Sequence, residues 1–446
     1  MSRSRSQSRS RSRTVGLPGP DFPGEKSERY DQISQGLLQF ALELCRQLRL
    51  AGRTGNILFS PYAVASTLEV LLHAARGATA HQIACALHLQ PARRSHWPIT
   101  DDYFARLHAQ CRSCVSVSSL RLKLGNLIYH DRSLRIRREF RRCDAAGAVR
   151  LGARDLAADP GGSLARIADE ARQAVPRFGA HEILPELASS SSAVAGLASS
   201  TSLLLLSFVG FAGGWRVRFS RARTTDAEFH LAPGRTKKVR MMHQSGRFLL
   251  ADCPALGASA LVLPYRHSGA VMVLFLPQDL DGLGALQEQL SAGTFELQFR
   301  ECDVDVSLPR FRLRQVTDLK RVLPALGVDD VFTERADLSG LSSAKGVRVT
   351  LARHAACFSA SERGGKPQQT DATPAEATAE ASASSATSTA SGAGPEPARV
   401  ALDADNAAGP GAENSERRKF VVDHPFMFLI LNNGVDFFLL FGLVKK

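Results

Sequence analysis

The first thirty residues hold no apolar run of the roughly 7–15 residues that a cleavable secretory signal needs, so no such signal is expected. No membrane span is expected either. The most apolar stretch, Phe426–Val444, is interrupted by Asn432, Asn433, Gly434 and Asp436, which a lipid interior would penalise. An Asn-Gly pair between two apolar runs reads instead as a β-hairpin buried in protein. Aromatic residues are absent from positions 359 to 419. The eight cysteines, at 45, 85, 111, 114, 143, 253, 302 and 357, form no tight framework for a chain of 446 residues. Buried free thiols are the expectation, and the lone Cys111-x-x-Cys114 lacks the second pair or histidine cluster of a metal site. There is no nucleophile elbow, P-loop, GxGxxG or paired metal-ligand spacing, so no enzyme, metal or cofactor is expected. No zinc-finger, helix-turn-helix or aromatic-interleaved basic motif occurs, and nucleic acid is not an expected partner. No internal repeat is visible.

Hydrophobic residues make up 44% of the chain and charged residues 22%, enough for a sizeable core. The net charge of +13 is uneven. Residues 1–14 hold five arginines and no acid, whereas residues 366–415 hold two bases and seven acids. Four regions separate by composition. Residues 1–29 are an Arg/Ser- then Pro/Gly-rich arm, expected to be disordered. Residues 30–358 read as packed structure. Residues 359–419, dominated by Ala, Ser, Thr, Gly, Pro and Glu, cannot bury enough apolar area to offset chain entropy. Residues 420–446 are densely apolar again and strand-like, and an isolated hairpin is marginal in water. The economical reading is one domain over 30–446, with 359–419 as a long exposed loop whose terminal hairpin docks back into the body.

Leu37, Leu38, Phe40, Ala41, Leu44, Cys45 and Leu48 mark one face of a helix. Ser60-Pro61 before Ala63–Ala74 has the form of an N-cap followed by proline in the first turn. Gly77 is expected to stop that helix and Thr79 to cap the next, Ala80–Leu87. Strand-like runs include Leu203–Leu206, Ala260–Leu263, Val271–Leu276, Val304–Leu308 and Val347–Leu351. Helices and strands do not alternate regularly, which gives an α+β class.

Several segments, in order, resemble the serpin family. They are Asn56-Ile-Leu-Phe-Ser60-Pro61 with Ala75–Ile83, Gly125-Asn126-Leu-Ile-Tyr129, and Phe211-Ala-Gly-Gly-Trp215 with Thr224 and Phe229. Val239–Met242, Leu263-Pro-Tyr265, Val306–Phe311, Leu326–Phe332 and Ala336–Gly340 follow. Phe420–Ile430, with Asp423, His424, Pro425 and Phe426, is similar to the family's C-terminal signature. The resemblance spans roughly 30–365 and 420–444. It implies about nine helices around three β-sheets, a long exposed reactive loop, and a monomer that acts outside cells. It also implies the function: a serine protease, or a cysteine protease, attacks the loop and forms an acyl-enzyme. The cut loop then inserts as a central strand of the main sheet, releasing stored strain.

Insertion demands a backbone N–H at every position and small alternate side chains. The hinge here is Glu362, Gly364, Gly365, Lys366 and Pro367, where the family pattern has an acid at position 366 and alanine at 367. Pro367 lacks the N–H, and the loop is longer than is usual in the family. These departures motivate an alternative: a non-inhibitory serpin-fold binding or decoy protein. They also motivate a variant in which the inserting run is the Ala/Ser/Thr/Glu segment Thr373–Ser391. Arg399, the only base between Lys366 and Arg417, is the candidate scissile residue for a trypsin-like enzyme. Ser207 stands where the resemblance implies Asn. Trp215 is expected to pack at the top of the main sheet. Arg135, Arg138 and Arg142 would share one face if helical, a candidate site for a polyanion such as heparin.

Overall fold

The computed structural model describes residues 25–51, 55–89, 102–109, 120–141, 149–174, 202–266, 269–291, 297–365, 417–432 and 435–445. Eight helices occur among them: α1 (Glu25–Leu50), α2 (Pro61–Ala74), α3 (Gly77–Ala86), α4 (102–109), α5 (Arg138–Arg141), α6 (Pro160–Ala174), α7 (Leu283–Gln289) and α8 (Leu319–Val322). The strands are β1 (Ile57–Phe59), β2 (Leu120–Asp131), β3 (Arg150–Arg154), β4 (Ser202–Gly213), β5 (Thr225–Ala232), β6 (Arg235–Cys253) and β7 (Ala258–Pro264). They continue with β8 (Ala270–Pro277), β9 (Arg300–Pro309), β10 (Phe311–Asp318), β11 (Arg348–Ala360), β12 (Arg418–Val421), β13 (Phe426–Asn432) and β14 (Val435–Val444).

Helix α1 buries Leu37, Phe40, Ala41, Leu44, Cys45 and Leu48 along its expected face. It begins at Glu25, so the end of the stretch expected to be disordered is helical. Helix α2 starts where Ser60 and Pro61 dictate. The Ser60 hydroxyl accepts the Ala63 N–H at 3.1 Å, and proline fills a first-turn position that needs no N–H. The next helix corrects the expected cap. It starts at Gly77 (φ +53°), and Thr79 Oγ1 instead accepts the Asp337 N–H at 3.0 Å.

The main sheet has strand order β10-β11-β4-β2-β3. The second runs β1-β14-β13-β8-β7-β6-β9-β12, with β5 also on β6. Two hydrogen-bonded sheets therefore stand, among the described residues, where the resemblance implies three. The cause is the 19-residue strand β6, which pairs with β5 along its first half and with β7 at its end. The two sheets meet through aromatic side chains. Phe311 and Phe358 of the main sheet pack on Phe428 of β13, with ring centroids 5.5 and 4.9 Å away, and Phe426 meets Phe311 edge-on at 5.6 Å. Such pairs add to the burial of apolar surface that drives folding.

The C-terminal strands join the second sheet. β12 lies parallel to β9, β13 lies antiparallel between β8 and β14, and β14 pairs with β1. β13 and β14 are the expected hairpin, and its Asn433-Gly434 tip lies outside the described residues. No described helix is long and apolar enough to cross a membrane.

Candidate functional site

The main sheet contains an unusual junction. β4 and β11 are paired in parallel from Ser202–Arg348 to Phe211–Phe358, with an irregularity between Val349 and Leu351. Their outer neighbours, β2 on β4 and β10 on β11, are antiparallel. A strand running the opposite way between β4 and β11 would replace one parallel pairing with two antiparallel ones. Parallel pairing is slightly less stable per residue, so such a strand would be favoured if the chain could supply it.

Midway along this seam sits His354, which is fully buried. Its Nε2 accepts the Ser60 N–H at 2.9 Å, and its Nδ1 faces the Ser207 hydroxyl at 2.8 Å. Accepting at Nε2 assigns the proton to Nδ1, which donates to Ser207. Burial holds the His354 pKa down to about 3, so the imidazole is neutral near pH 7. One ring thus ties the cap of α2 to both strands of the seam. A second buried group lies alongside, where Thr67 Oγ1 donates to Asn126 Oδ1 at 3.0 Å and the Asn126 amide donates to Ser66.

The mouth of the seam is built from aromatic rings, one carboxylate and two glycines. Trp215 is 1% exposed, as expected at the top of the sheet, and its indole N–H donates to the Ser361 carbonyl at 2.8 Å. Its ring stacks on Tyr265 with centroids 4.7 Å apart. Among the described residues the buried Tyr265 hydroxyl has no hydrogen-bond partner. Glu362, 4% exposed, accepts from Thr224 Oγ1 at 3.1 Å and lies 3.6 Å from Arg310. Its carbonyl accepts the Phe219 N–H at 3.0 Å. Beyond Glu362 the chain reverses. Gly364 forms an antiparallel bridge with Gly214, and the Gly365 N–H donates to the Gly213 carbonyl at 2.9 Å. Gly364 has φ +98°, and a Cβ there would stand 1.9 Å from the Gly213 carbonyl oxygen, so only glycine fits. A Cβ on Gly365 would meet Ser359 O at 2.8 Å and Ala212 Cα at 3.1 Å. Gly365 is therefore wedged between the ends of both strands, and the chain there already runs antiparallel to β4.

The far side of the loop returns through β12. Arg418 makes a bidentate pair with Asp252 at 2.8 and 2.9 Å, which holds the Asp252 carboxyl below its usual range. Arg417 lies 3.8 Å from Asp305. His424 touches Asp423 at 2.7 Å and the Pro277 carbonyl at 2.9 Å, and Phe426 is fully buried behind Pro425. The Asn56 side chain accepts the Lys445 N–H at 2.7 Å, tying β1 to the C-terminus. These signature residues are structural ties.

Lys366, Pro367, Arg399 and Arg142 lie outside the described residues. The expected basic helix face is corrected. Among the described residues helix α5 covers Arg138–Arg141, and Arg135 precedes it in a segment where Leu134 and Ile136 are buried and Arg135 and Arg137 exposed. That alternation belongs to extended chain. Cys45, Cys253 and Cys357 are buried free thiols, and burial pushes them up to about 12, 11 and 12. Sequence reasoning missed His354 and the Tyr265 stack. The one available signal was a lone histidine inside a strand of small and apolar residues.

A main sheet with a parallel seam, and a hinge turned into its mouth, defines a protein able to take a further strand from its own chain. Residues 35–149 and 190–446 match the family model described as serpin (serine protease inhibitor). The chain belongs to the serpin family and is a serpin-type protease inhibitor. Iris of Ixodes ricinus is 30% identical over 420 residues, covering 93% of this chain and 99% of that protein. The leukocyte elastase inhibitor of Sus scrofa is 29% identical over 424 residues, covering 92% and 98%. Among solved structures, maspin has a TM-score of 0.75 at 22% identity, covering 94% of this chain and 100% of that one. Uncleaved ovalbumin has a TM-score of 0.73 at 20% identity, covering 93% and 100%. These structures share the fold.

Proposed function

We propose that the chain traps a serine endopeptidase through the segment between Gly365 and Arg417, within one domain reaching from residue 30 to the C-terminus. The protease serine attacks a loop carbonyl. The peptide C–N bond breaks, the new amine departs with the C-terminal piece, and the N-terminal piece stays esterified to the enzyme. That piece then enters the seam between β4 and β11, starting from the wedge at Gly364–Gly365. The observation that carries this reading is the reversal at Gly364, which turns the chain antiparallel to β4 at the mouth. Pro is admitted at the first residue of a strand, so Pro367 is tolerable only near the mouth. The small residues of Thr373–Ser391 supply the buried part of the inserted strand.

Arg399 is the proposed scissile residue for a trypsin-like protease. The relatives named for leukocyte elastase point to an elastase-like enzyme as the other target, cutting after a small residue of the same segment. The protein acts as a monomer, outside cells, with the Arg/Ser arm as an accessory. The test is incubation of the full chain with trypsin-like and elastase-like enzymes. An SDS-stable complex is expected, lost with trypsin-like enzymes in Arg399→Ala and retained with elastase-like ones. Turnover of the loop with no complex across the panel contradicts the proposal.

A further inference from the structure

The hinge is described as far as Gly365, and by then its register on β4 is set. Gly364 bridges Gly214, and the Gly365 N–H donates to the Gly213 carbonyl. Continued into the seam, this antiparallel register sets Pro367 opposite Phe211, Gln369 opposite Val209 and Asp371 opposite Ser207. Residues directly opposite in such a pair point to the same face. The two faces of β4 differ. Leu203, Leu205, Val209 and Phe211 belong to the main core, whereas Leu204 and Leu206 join a second apolar cluster with Leu164 and Ile167 of α6. Ser207 alternates with the first set, and its hydroxyl meets His354. Asp371, outside the described residues, is thereby assigned to the core side, between the register partners Ser207 and His354. Pro367 and Pro374 each forgo one ladder bond in this register without moving Asp371 to the other face.

We infer that the seam seats Asp371 beside His354, and that insertion of the loop carries one proton from solvent into the seam. The inference rests on the insertion proposed above. His354 is arranged to receive a carboxyl group. Its Nε2 is occupied by the Ser60 N–H, so Nδ1–H is the group that turns from Ser207 to the incoming side chain. Among the described residues, the groups set around it carry no charge. They are Ser60 at the α2 cap, Ser207 of β4, Thr317 of β10 opposite His354, and Asn126 of β2 opposite Ser207. Burial alone holds its pKa down to about 3. A carboxylate entering this dry site beside a neutral imidazole brings an uncompensated negative charge, which is strongly unfavourable. One added proton removes that charge. With Nε2 accepting from Ser60, the proton goes to the Asp371 carboxyl group, which then accepts from Nδ1–H through one oxygen and donates to Ser207 through the other. In the uninserted chain neither group holds a proton near pH 6.5, since an ordinary aspartate titrates near about 3.9. The inserted form therefore binds one proton more, and lowering the pH favours it by up to about tenfold per unit.

The test cuts the loop of the full chain once, between residues 392 and 416, at pH 6.5 in weakly buffered solution, and measures proton uptake. At this pH the cut itself leaves a carboxylate and an ammonium group, with little net proton change. Wild type should take up about one proton per molecule more than Asp371→Asn. The intact forms of the two should melt alike. Raising the pH from 6.5 to 9 should lower the melting temperature of cut wild type relative to cut Asp371→Asn, because the inserted pair loses its proton. Equal uptake in wild type and Asp371→Asn overturns the inference. Uptake that disappears in Glu376→Gln and persists in Asp371→Asn overturns the register on which it is built. Failure of insertion itself is told apart by the melting curves. Cut wild type then melts with the intact protein at every pH, and the inference falls with it.

Discussion

The same two strands, β4 and β11, are held by different means at the middle of their seam and at its mouth. In the middle, one fully buried imidazole joins Ser207 of β4, His354 of β11 and the Ser60 cap of α2. At the mouth, Gly364 and Gly365 make backbone contacts that any side chain would block, while Glu362 and Trp215 anchor the turn leading to them. The middle resists parting because each hydrogen bond lost there leaves a dry polar group unpaired. The mouth is shaped for a chain that is already entering. A seam built this way is locked where it must not open early and primed where opening must begin.

The largest expected effect comes from breaking the middle. His354→Ala leaves the Ser60 N–H and the Ser207 hydroxyl without their partner and opens a cavity, for a loss of about 3–4 kcal/mol in denaturant unfolding. Acid reaches the same lock. The folded-state pKa of His354, about 3, lies below the ordinary 6.5, so the unfolded chain takes up the proton first. Its stabilising contribution is complete above about pH 6.5 and falls as the pH drops toward 3, by up to about 1.4 kcal/mol per unit. Between pH 6 and pH 4 the stability of wild type should fall roughly 2–3 kcal/mol more than that of His354→Gln. Parallel slopes would show that the imidazole is not the acid-sensitive group.

At the mouth the effects are smaller. Gly364→Ala forces a left-handed backbone and a clash with Gly213, costing about 2 kcal/mol and exposing the hinge to limited proteolysis. Glu362→Gln keeps the shape but weakens the bonds to Thr224 and Arg310, for about 1 kcal/mol by melting temperature. At the loop's exit, Asp252→Asn removes the pair with Arg418. Both side chains are half exposed, so water screens the pair and the loss should be at most about 0.5 kcal/mol, shrinking further in salt. An Asp252→Asn effect as large as that of Gly364→Ala would mean that the exit, rather than the mouth, governs the loop.

The mouth was more legible in the sequence than the middle. Glu362, Gly364 and Gly365 stand next to one another, and Trp215 lies in a recognisable run, so a reader of the chain meets the hinge as a unit. The lock at His354 draws on positions 60, 207 and 354, which no local pattern connects. Ser207 looked like a bare departure from family usage, yet its hydroxyl supplies the bond to the imidazole. Local rules also misled. Thr79 has the chemistry of a cap but faces Asp337, because a tertiary partner outcompeted the helix end. Arg135 and Arg138 have helical spacing, but burial of Leu134 and Ile136 pulls that segment into extended chain. The merging of the second and third sheets depends on the unbroken length of β6, which composition does not announce.

The central claim is that the seam opens to admit the protein's own chain. Cutting the loop once between residues 366 and 416 and comparing the melting of cut and intact protein tests it most directly. The account predicts that the cut protein melts at a much higher temperature, because the freed strand has entered between β4 and β11. Equal melting temperatures would contradict it.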